Sequence, residues 1–179
     1  LQEIQKDDCL QEYRFVLENL VRQKPHTLSA PEEKLLASLS EVMGAPADIA
    51  DCLQDADLTF DSVKDSAGEA HEVTGSNYIL LQTSSDRTLR ENSFRSFYKT
   101  YRNHINTFAA TYAGAVKAAT AEAAARHYES SRAMSMAGEN IPAEVYDNLV
   151  ASVRAHLPLM YRYAKLRKRL LGIQELHYY

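Results

Sequence analysis

The sequence has few of the residues that mark several special classes of protein. It contains no tryptophan and only two cysteines, Cys9 and Cys52, whose spacing is not that of a zinc motif. Two cysteines in a chain of 179 residues cannot build a disulfide framework, so free thiols in a reducing compartment are expected. Six glycines and five prolines are too few and too scattered for a low-complexity linker. These absences favour an ordinary globular protein.

Long hydrophobic runs are also absent. No apolar stretch has the length of a membrane span, so no membrane partner is expected. Apolar residues make up 45% of the chain and charged residues 25%, which is typical of a soluble globular protein that buries a sizeable core. Together with the two isolated cysteines, this composition predicts a cytoplasmic protein.

Positive charge is scarce in the first part of the chain. Residues 1–72 carry 16 acidic and 6 basic side chains, whereas residues 73–179 carry 8 acidic and 14 basic ones. The densest basic cluster, between Arg162 and Arg169, lies near the predicted end of a helix, where cations favour the helix dipole. No concentrated basic face is predicted elsewhere, so nucleic acid is not expected as a partner.

Helical patterns dominate the first 53 residues. A helix is predicted at about 8–22, and a second begins after Ser29, which forms a capping-box pattern with Glu32. Gly44 is expected to end this second helix because glycine suits the left-handed conformation at a helix terminus. A short third helix is predicted from about Pro46 to Leu53.

The periodicity changes between residues 58 and 74. Residues 58–63 are typical of a short extended segment, residues 65–68 form a turn cluster, and residues 71–74 can return antiparallel. A two-stranded hairpin is marginal in water by itself, so it must pack on helices. The fold class is therefore predicted as mainly α, an antiparallel helical bundle with one small β-hairpin near residues 58–74.

A long helix is predicted in the middle of the chain. A short helix at about 77–82 leads to Ser84–Asp86, a segment that caps a helix reaching about Tyr128, with a break near residues 103–106. Heptad spacing along this helix is typical of a packed seam, and we expect its side chains to form buried core. The seam comprises Phe94, Tyr98, Tyr101, Ile105, Phe108 and Tyr112.

The last fifty residues are predicted as a loop followed by helices. Residues 130–139 are expected to form the loop, and Pro142 suits the first position of a helix that runs to Leu157. Because proline lacks the N–H that a helix interior uses, Pro158 is expected to start a new helical segment. Gly172 is expected to end that segment.

Five short segments resemble one family in the order that the family shows them. They are Arg22–Ser29 (RQKPHTLS), Ser40–Pro46 (SEVMGAP), Asn106–Ala110 (NTFAA), Asn140–Leu149 (NIPAEVYDNL) and Leu166–Gly172 (LRKRLLG). The family is oligoendopeptidase F, zinc metallopeptidases related to thimet oligopeptidase. The resemblance implies a zinc metalloendopeptidase that hydrolyses short peptides inside a deep channel enclosed by helices.

The resemblance also implies how the chain divides. Residues 1–99 would form an N-terminal helical module with the hairpin, and residues 100–179 would begin the helical catalytic domain. Both would form part of the channel wall and would pack against the remaining C-terminal catalytic part of the same chain. The family's catalytic residues would lie beyond Tyr179.

The zinc motif of the family, His-Glu-x-x-His on a helix, is missing here. Two histidines four residues apart share a helix face and can bind one zinc ion, with the glutamate as general base. No two of the six histidines have this spacing; they are His26, His71, His104, His127, His156 and His177. No catalytic, cofactor-binding or metal-binding residue is therefore predicted in this chain, which is expected to bind no zinc and cleave no peptide, although its parent enzyme would use zinc.

Three residues are candidates for lining the substrate channel. His177 and Tyr178 lie in a segment, Leu176–Tyr179, that resembles a leucine–histidine–x–tyrosine pattern of the family. A histidine and a tyrosine together could polarise a carbonyl group, and Asn140 could donate a hydrogen bond. The alternative roles are structural: terminal packing for His177 and Tyr178, and helix capping for Asn140.

Two other functions compete with a peptidase segment. The composition fits equally well a non-enzymatic helical module that binds a partner through an exposed apolar helix face. A nucleophilic enzyme has less support, since no serine lies in a Gly-x-Ser-x-Gly turn and neither cysteine has a neighbouring histidine. A His-Glu-x-x-His helix in a longer sequence would separate the peptidase from the interaction module.

Overall fold

The computed structural model describes residues 8–179, and it is mainly helical with one small sheet. The predicted fold class is confirmed. Short 3₁₀ segments lie at Asp8–Tyr13 and Lys24–His26, and a π-helical turn lies at Leu53–Asp57. The other elements, in chain order, are α1 (Arg14–Gln23), α2 (Ala30–Cys52), β1 (Val63–Lys64), β2 (Ala70–His71), α3 (Tyr78–Gln82), α4 (Arg87–Asn103), α5 (Ile105–Ala125), α6 (Ser131–Gly138) and α7 (Ala143–Leu170).

Several predicted helix ends are confirmed. The long central helix is broken at His104, between α4 and α5, and Asp86 caps α4 by accepting from the N–H groups of Thr88 and Leu89. Gly172 has a φ of 64° just after α7, the left-handed conformation that closes a helix. The N–H groups of Gly172 and Ile173 bond back to the carbonyls of Arg169 and Lys168.

Three predicted boundaries are wrong. The helix expected to end at Gly44 continues to Cys52 with Pro46 inside it, because Gly44 keeps a helical conformation. Residues 131–138 are helical rather than a loop, since the Ser130 hydroxyl caps the N–H of Ala133. The new helical segment expected at Pro158 is absent, since Pro158 lies inside one continuous helix, α7. Proline leaves one helical carbonyl without an N–H partner, and water can bind that carbonyl because this part of α7 is exposed.

The chain forms two compact units whose segments alternate along the sequence. The first contains the residues up to Pro46 together with Ala113–Pro142, and the second contains Ala47–Tyr112 with Ala143–Tyr179. The proposed boundary between family modules near residue 99 stays a prediction. In the described residues, no helix combines the length and the apolar character that a membrane crossing requires.

In the first unit, the start of α2 is joined to the end of α5. The guanidinium of Arg126 donates to both carboxylate oxygens of Glu33, at 3.0 and 3.2 Å, and to Glu122 at 3.1 Å. The ring of His26 stacks on Tyr128 with centroids 3.6 Å apart, and its Nδ1 donates to the Arg126 carbonyl. The hydrogen bonds from Arg126, followed by the one from the Leu28 N–H, lower the pKa of Glu33.

In the second unit, aromatic rings pack between α3, α4 and the segment before β1. Phe97 is central to this aromatic cluster: its ring stacks on Tyr78 at 4.0 Å and on Phe60 at 5.0 Å and lies 5.0 Å from Tyr101. Tyr78 is only 5% exposed, and burial raises its pKa to about 12. The cluster therefore forms the core on which the hairpin and α3 rest.

The predicted buried seam is wrong for three of its six members. Tyr98, Ile105 and Tyr112 are 42%, 60% and 74% exposed, whereas the other three are half-buried. The buried stripe of α4 consists instead of Leu89, Ser93, Ser96 and Thr100. Ser96 and Thr100 donate to carbonyls of the preceding loop, at Asp61 and Thr59. The spacing of hydrophobic residues does not reveal this buried face of α4. The face contains hydroxyl side chains because the carbonyl groups of the loop that packs on it need hydrogen-bond donors.

Asp86 joins the hairpin turn to the start of α4. One carboxylate oxygen caps the helix, and the other accepts from the backbone N–H and the hydroxyl of Ser66, both at 2.7 Å. These hydrogen bonds favour the charged carboxylate, so the pKa of Asp86 is lowered from 3.8 to about 2, with the Ser66 N–H as the largest cause. The charged form of Asp86 therefore stabilises the fold.

This lowered pKa predicts an acid-dependent loss of stability. A carboxyl whose folded pKa lies below its unfolded value stabilises the fold above the unfolded pKa and loses that contribution as pH falls through the folded pKa. The difference in unfolding free energy between the unchanged chain and Asp86→Asn should thus be constant above about pH 5 and shrink between about pH 4 and 2. Urea titrations at several pH values measure it. Ser66→Ala should weaken the pH dependence, and a difference that persists at pH 2 would contradict the assignment.

Candidate functional site

Asn140 occupies a helix terminus in the first unit. It follows α6 with a φ of 54°, a left-handed conformation that asparagine adopts more readily than most residues. Its N–H donates to the carbonyl of Ala137 at 3.2 Å, and the N–H of Ile141 donates to Met136 at 3.0 Å. This pair of bonds is the Schellman pattern that closes helices. The backbone of Asn140 thus ends α6, and its exposed side chain is left for other contacts.

His177 and Tyr178 lie together in the second unit, in the segment after α7. The Nε2 of His177 is 3.2 Å from a carboxylate oxygen of Glu175, and the ring stacks in parallel on Tyr179 at 4.7 Å. Tyr178 is 72% exposed, with its ring 6.2 Å from that of Phe94. The structure brings these two sequence-predicted residues into one segment, and Asn140 belongs to the other unit.

A groove of about 310 Å³ runs beside this segment. Three arginines contribute to its lining, and the only carboxylate side chain in that lining is Glu175. Arg90 donates to the carbonyls of Ser84 and Ser85, so part of its hydrogen-bonding capacity holds the loop before α4. The lining residues are Arg87, Arg90, Arg167, Leu171, Ile173 and Glu175–Tyr179. Such a groove can bind an anionic group, but its lining contains no serine, threonine or cysteine that could act as a nucleophile.

A larger cavity of about 600 Å³ opens between the π-helical turn, the segment that follows β2 and the aromatic cluster. Its walls combine the rings of Phe60, Phe97 and Tyr101 with the carboxylates of Asp55 and Glu72. Burial, followed by the charge of Asp55, raises the pKa of Tyr101. Sequence reasoning missed this cavity, since its residues belong to segments that only the fold brings together.

The hairpin contains three possible metal ligands, Asp65, Glu69 and His71, which the sequence analysis also missed. One ligand atom from each lies within 4.8 Å of the others. In the sequence these residues form the pattern Asp-x₃-Glu-x-His across a predicted turn, a spacing that differs from that of ligands on one helix face. The hydrogen bond from His71, helped by the N–H groups of Glu69 and Ala67, lowers the pKa of Asp65. Cys52 is free and exposed, and the side chain of Cys9 lies outside the described part of the chain.

Comparison with known families shows to which of them this mainly helical chain belongs. The family model described as oligopeptidase F matches residues 1–60, and the model described as peptidase family M3 matches residues 80–179. The chain belongs to peptidase family M3.

Individual relatives agree with this assignment. The chain is 41% identical to oligopeptidase PepF of Bacillus subtilis over 93% of its length, and 41% identical to the group B oligopeptidase PepB of Streptococcus agalactiae over 95%. It spans 25% and 28% of these two relatives, respectively. The crystal structure of oligoendopeptidase-F from Enterococcus faecium superposes with a TM-score of 0.89 and 38% identity, covering 98% of this chain and 34% of that one. The chain corresponds to the N-terminal portion of an oligoendopeptidase F-like peptidase.

Proposed function

We propose that this chain forms part of the wall of the substrate channel in a cytoplasmic zinc metalloendopeptidase that hydrolyses short peptides. The observation that carries the proposal is the order of the two family models, which together account for most of the chain. The similarity to a solved oligoendopeptidase-F over 98% of this chain supports the same function. The partner implied is the remaining catalytic part of the same polypeptide.

The residues present do not fit the zinc site of such an enzyme. The six histidines include no pair spaced for His-Glu-x-x-His, and His71 is the only histidine in the three-ligand cluster found among residues 8–179. We therefore assign this chain no step of the hydrolytic reaction. In this proposal the chain binds and orients peptides, and residues outside these 179 would hold a zinc ion, which would supply an activated water molecule.

Within this proposal, Asn140, His177 and Tyr178 are the channel-lining candidates. The exposed Tyr178 and the arginines of the neighbouring groove offer hydrogen-bond donors to a peptide carbonyl or carboxylate. The ring of His177 is held by a hydrogen bond to Glu175 and by stacking on Tyr179, which favours a role in keeping this segment in position. Asn140 has a helix-closing backbone, so only its side chain is available to a substrate.

The proposal predicts that the 179-residue chain cleaves no peptide. A quenched fluorescent peptide of about ten residues should stay intact with this chain, because the chain has no His-Glu-x-x-His helix to hold a zinc ion beside a general-base glutamate. A longer polypeptide that contains this chain and a His-Glu-x-x-His helix should cleave the peptide, and a chelator should stop the reaction. Chelator-sensitive cleavage by the 179-residue chain, absent from a mock purification, would contradict the prediction.

The same measurement separates a second candidate, a non-enzymatic helical interaction module. The observation that favours it is an exposed apolar face on α7, formed by Val145, Leu149, Val153 and Leu157. Apolar faces of this kind mark contact surfaces for other protein segments. In a peptidase, this face would pack against the rest of the polypeptide. If the longer polypeptide cleaves no peptide in the presence of zinc, the interaction module becomes the better explanation.

A further inference from the structure

The β-hairpin carries a group of side chains that the channel-wall function does not use. Asp65 directly follows β1, Glu69 directly precedes β2, and His71 ends β2. Antiparallel pairing places His71 opposite Val63 and Ala70 opposite Lys64, so the His71 ring reaches back over the turn. Its Nε2 lies 3.0 Å from an Asp65 carboxylate oxygen, and a Glu69 oxygen completes a group within 4.8 Å.

The turn holds the Asp65 carboxylate in a defined position. One of its oxygens, Oδ1, accepts from the N–H groups of Ala67 and Glu69, both at 2.9 Å. Gly68 has a φ of 87°, which lets the N–H of Asp65 bond to the Glu69 carbonyl at 3.0 Å. The second oxygen, Oδ2, is not needed by the turn and is directed at His71.

The hairpin is anchored to α4 on both sides of this group. Asn92 donates to the carbonyl of Lys64 at 2.8 Å, and Ser66 donates twice to Asp86. The side chains of Asp65 and His71 are 15% and 29% exposed, so the fold positions them and leaves a path from solvent. A ligand set that is held before the ion arrives loses little conformational entropy on binding.

We propose that Asp65, Glu69 and His71 form a binding site for a divalent ion of the zinc class. Imidazole nitrogen and carboxylate oxygen are zinc ligands at about 2.0–2.2 Å, which puts neighbouring ligand atoms roughly 3.3 Å apart in a tetrahedron. The 3.0 Å pair already lies near that separation, and the exposed Glu69 can move to close the remaining distance. A water molecule would supply the fourth ligand.

The imidazole sets the metal preference. Magnesium and calcium take oxygen ligands almost entirely, whereas zinc and its transition-metal neighbours accept a histidine nitrogen. The competing explanation for the same geometry is a hydrogen bond between His71 and Asp65 that only stabilises the hairpin. This proposal differs from the expectation drawn from the sequence, which was that no metal-binding residue is present in this chain.

Metal titration of the 179-residue chain tests the proposal. Calorimetry with Zn²⁺ and visible absorption with Co²⁺ should show one strong site per chain, with no comparable response to Mg²⁺. His71→Ala and Glu69→Gln should each weaken Zn²⁺ binding at least about tenfold. His177→Ala is the matched control: it removes a histidine that also pairs with a carboxylate, Glu175, and it should leave the site unchanged.

Each outcome decides for or against the site. Circular dichroism and urea unfolding check that the variants fold, and Glu69→Gln keeps the Asp65–His71 bond, so it remains informative if His71→Ala disturbs the hairpin. Equal Zn²⁺ affinity for the unchanged chain and both hairpin variants would overturn the proposal. Loss of the strong site in His177→Ala would place the ion elsewhere and overturn it as well.

Discussion

Replacing Phe97 by alanine should lower the free energy of unfolding by about 3 kcal/mol. The ring of Phe97 joins α4 to Tyr78 of α3, to Phe60 before β1 and to Tyr101 one turn further along α4, with centroids 4.0–5.0 Å away. Its removal leaves a cavity that stacked rings cannot easily fill, although the side chain is half-buried, which limits the loss. Urea unfolding followed by circular dichroism measures the change.

The matched control is Tyr112→Ala. Tyr112 lies in the heptad seam predicted from the sequence, but it is 74% exposed, so its truncation should change stability by less than about 0.5 kcal/mol. A loss at Tyr112 as large as that at Phe97 would show that the heptad seam is buried in solution.

Alanine at two helical glycines should change stability in opposite directions. At Gly114 in α5, an added Cβ would lie 2.9 Å from the Cγ and 3.1 Å from the Cβ of Pro46 in α2. The proline ring cannot rotate away, so Gly114→Ala should destabilise the first unit by about 1–2 kcal/mol despite its better helix propensity. At Gly44 in α2, a Cβ would meet nothing within 4 Å, and Gly44→Ala should stabilise by up to about 1 kcal/mol.

Denaturant unfolding of both glycine variants beside the unchanged chain measures this difference. The two substitutions add the same methyl group to a helix, so the contrast isolates the contact between α2 and α5. Stabilisation at both positions would mean that the helices do not approach closely at Pro46. Destabilisation at both would mean that Gly44 has a neighbour in solution that the structure does not show.

Local chemistry accounts for the helix ends that the sequence predicted correctly. Helix ends lie where the sequence predicts them at Asp86, His104 and Gly172. Each of these ends depends on hydrogen bonds between residues that are close together in the sequence. The helix boundaries predicted near Pro46 and at Pro158 are wrong because they depend on the surroundings of the helix and not only on neighbouring residues. Proline removes one helical hydrogen bond, and whether the helix continues depends on what surrounds the freed carbonyl.

The candidate site also includes some residues that the sequence indicated and others that only the fold brings together. Asn140, His177 and Tyr178 came from a resemblance to a family, and their channel role remains a proposal. The metal-ligand group lies across a turn that the sequence predicts, and the pairing register of the hairpin together with the hydrogen bonds of the turn brings Asp65 and His71 together. The cavity beside Tyr101 has no sequence signal, because its walls come from the π-helical turn, the segments before β1 and after β2, and α4.

The sequence by itself determined the helical class, the hairpin, the positions of most helix ends and the peptidase family, since these depend on neighbouring residues or on similarity along the chain. Only the tertiary structure decided which face of α4 is buried, since the donors Ser96 and Thr100 are selected by carbonyls from a distant loop. It also decided that Pro46 faces Gly114 and that Arg126 meets Glu33. Such contacts join residues far apart in sequence, and their energies depend on distances that no local pattern contains.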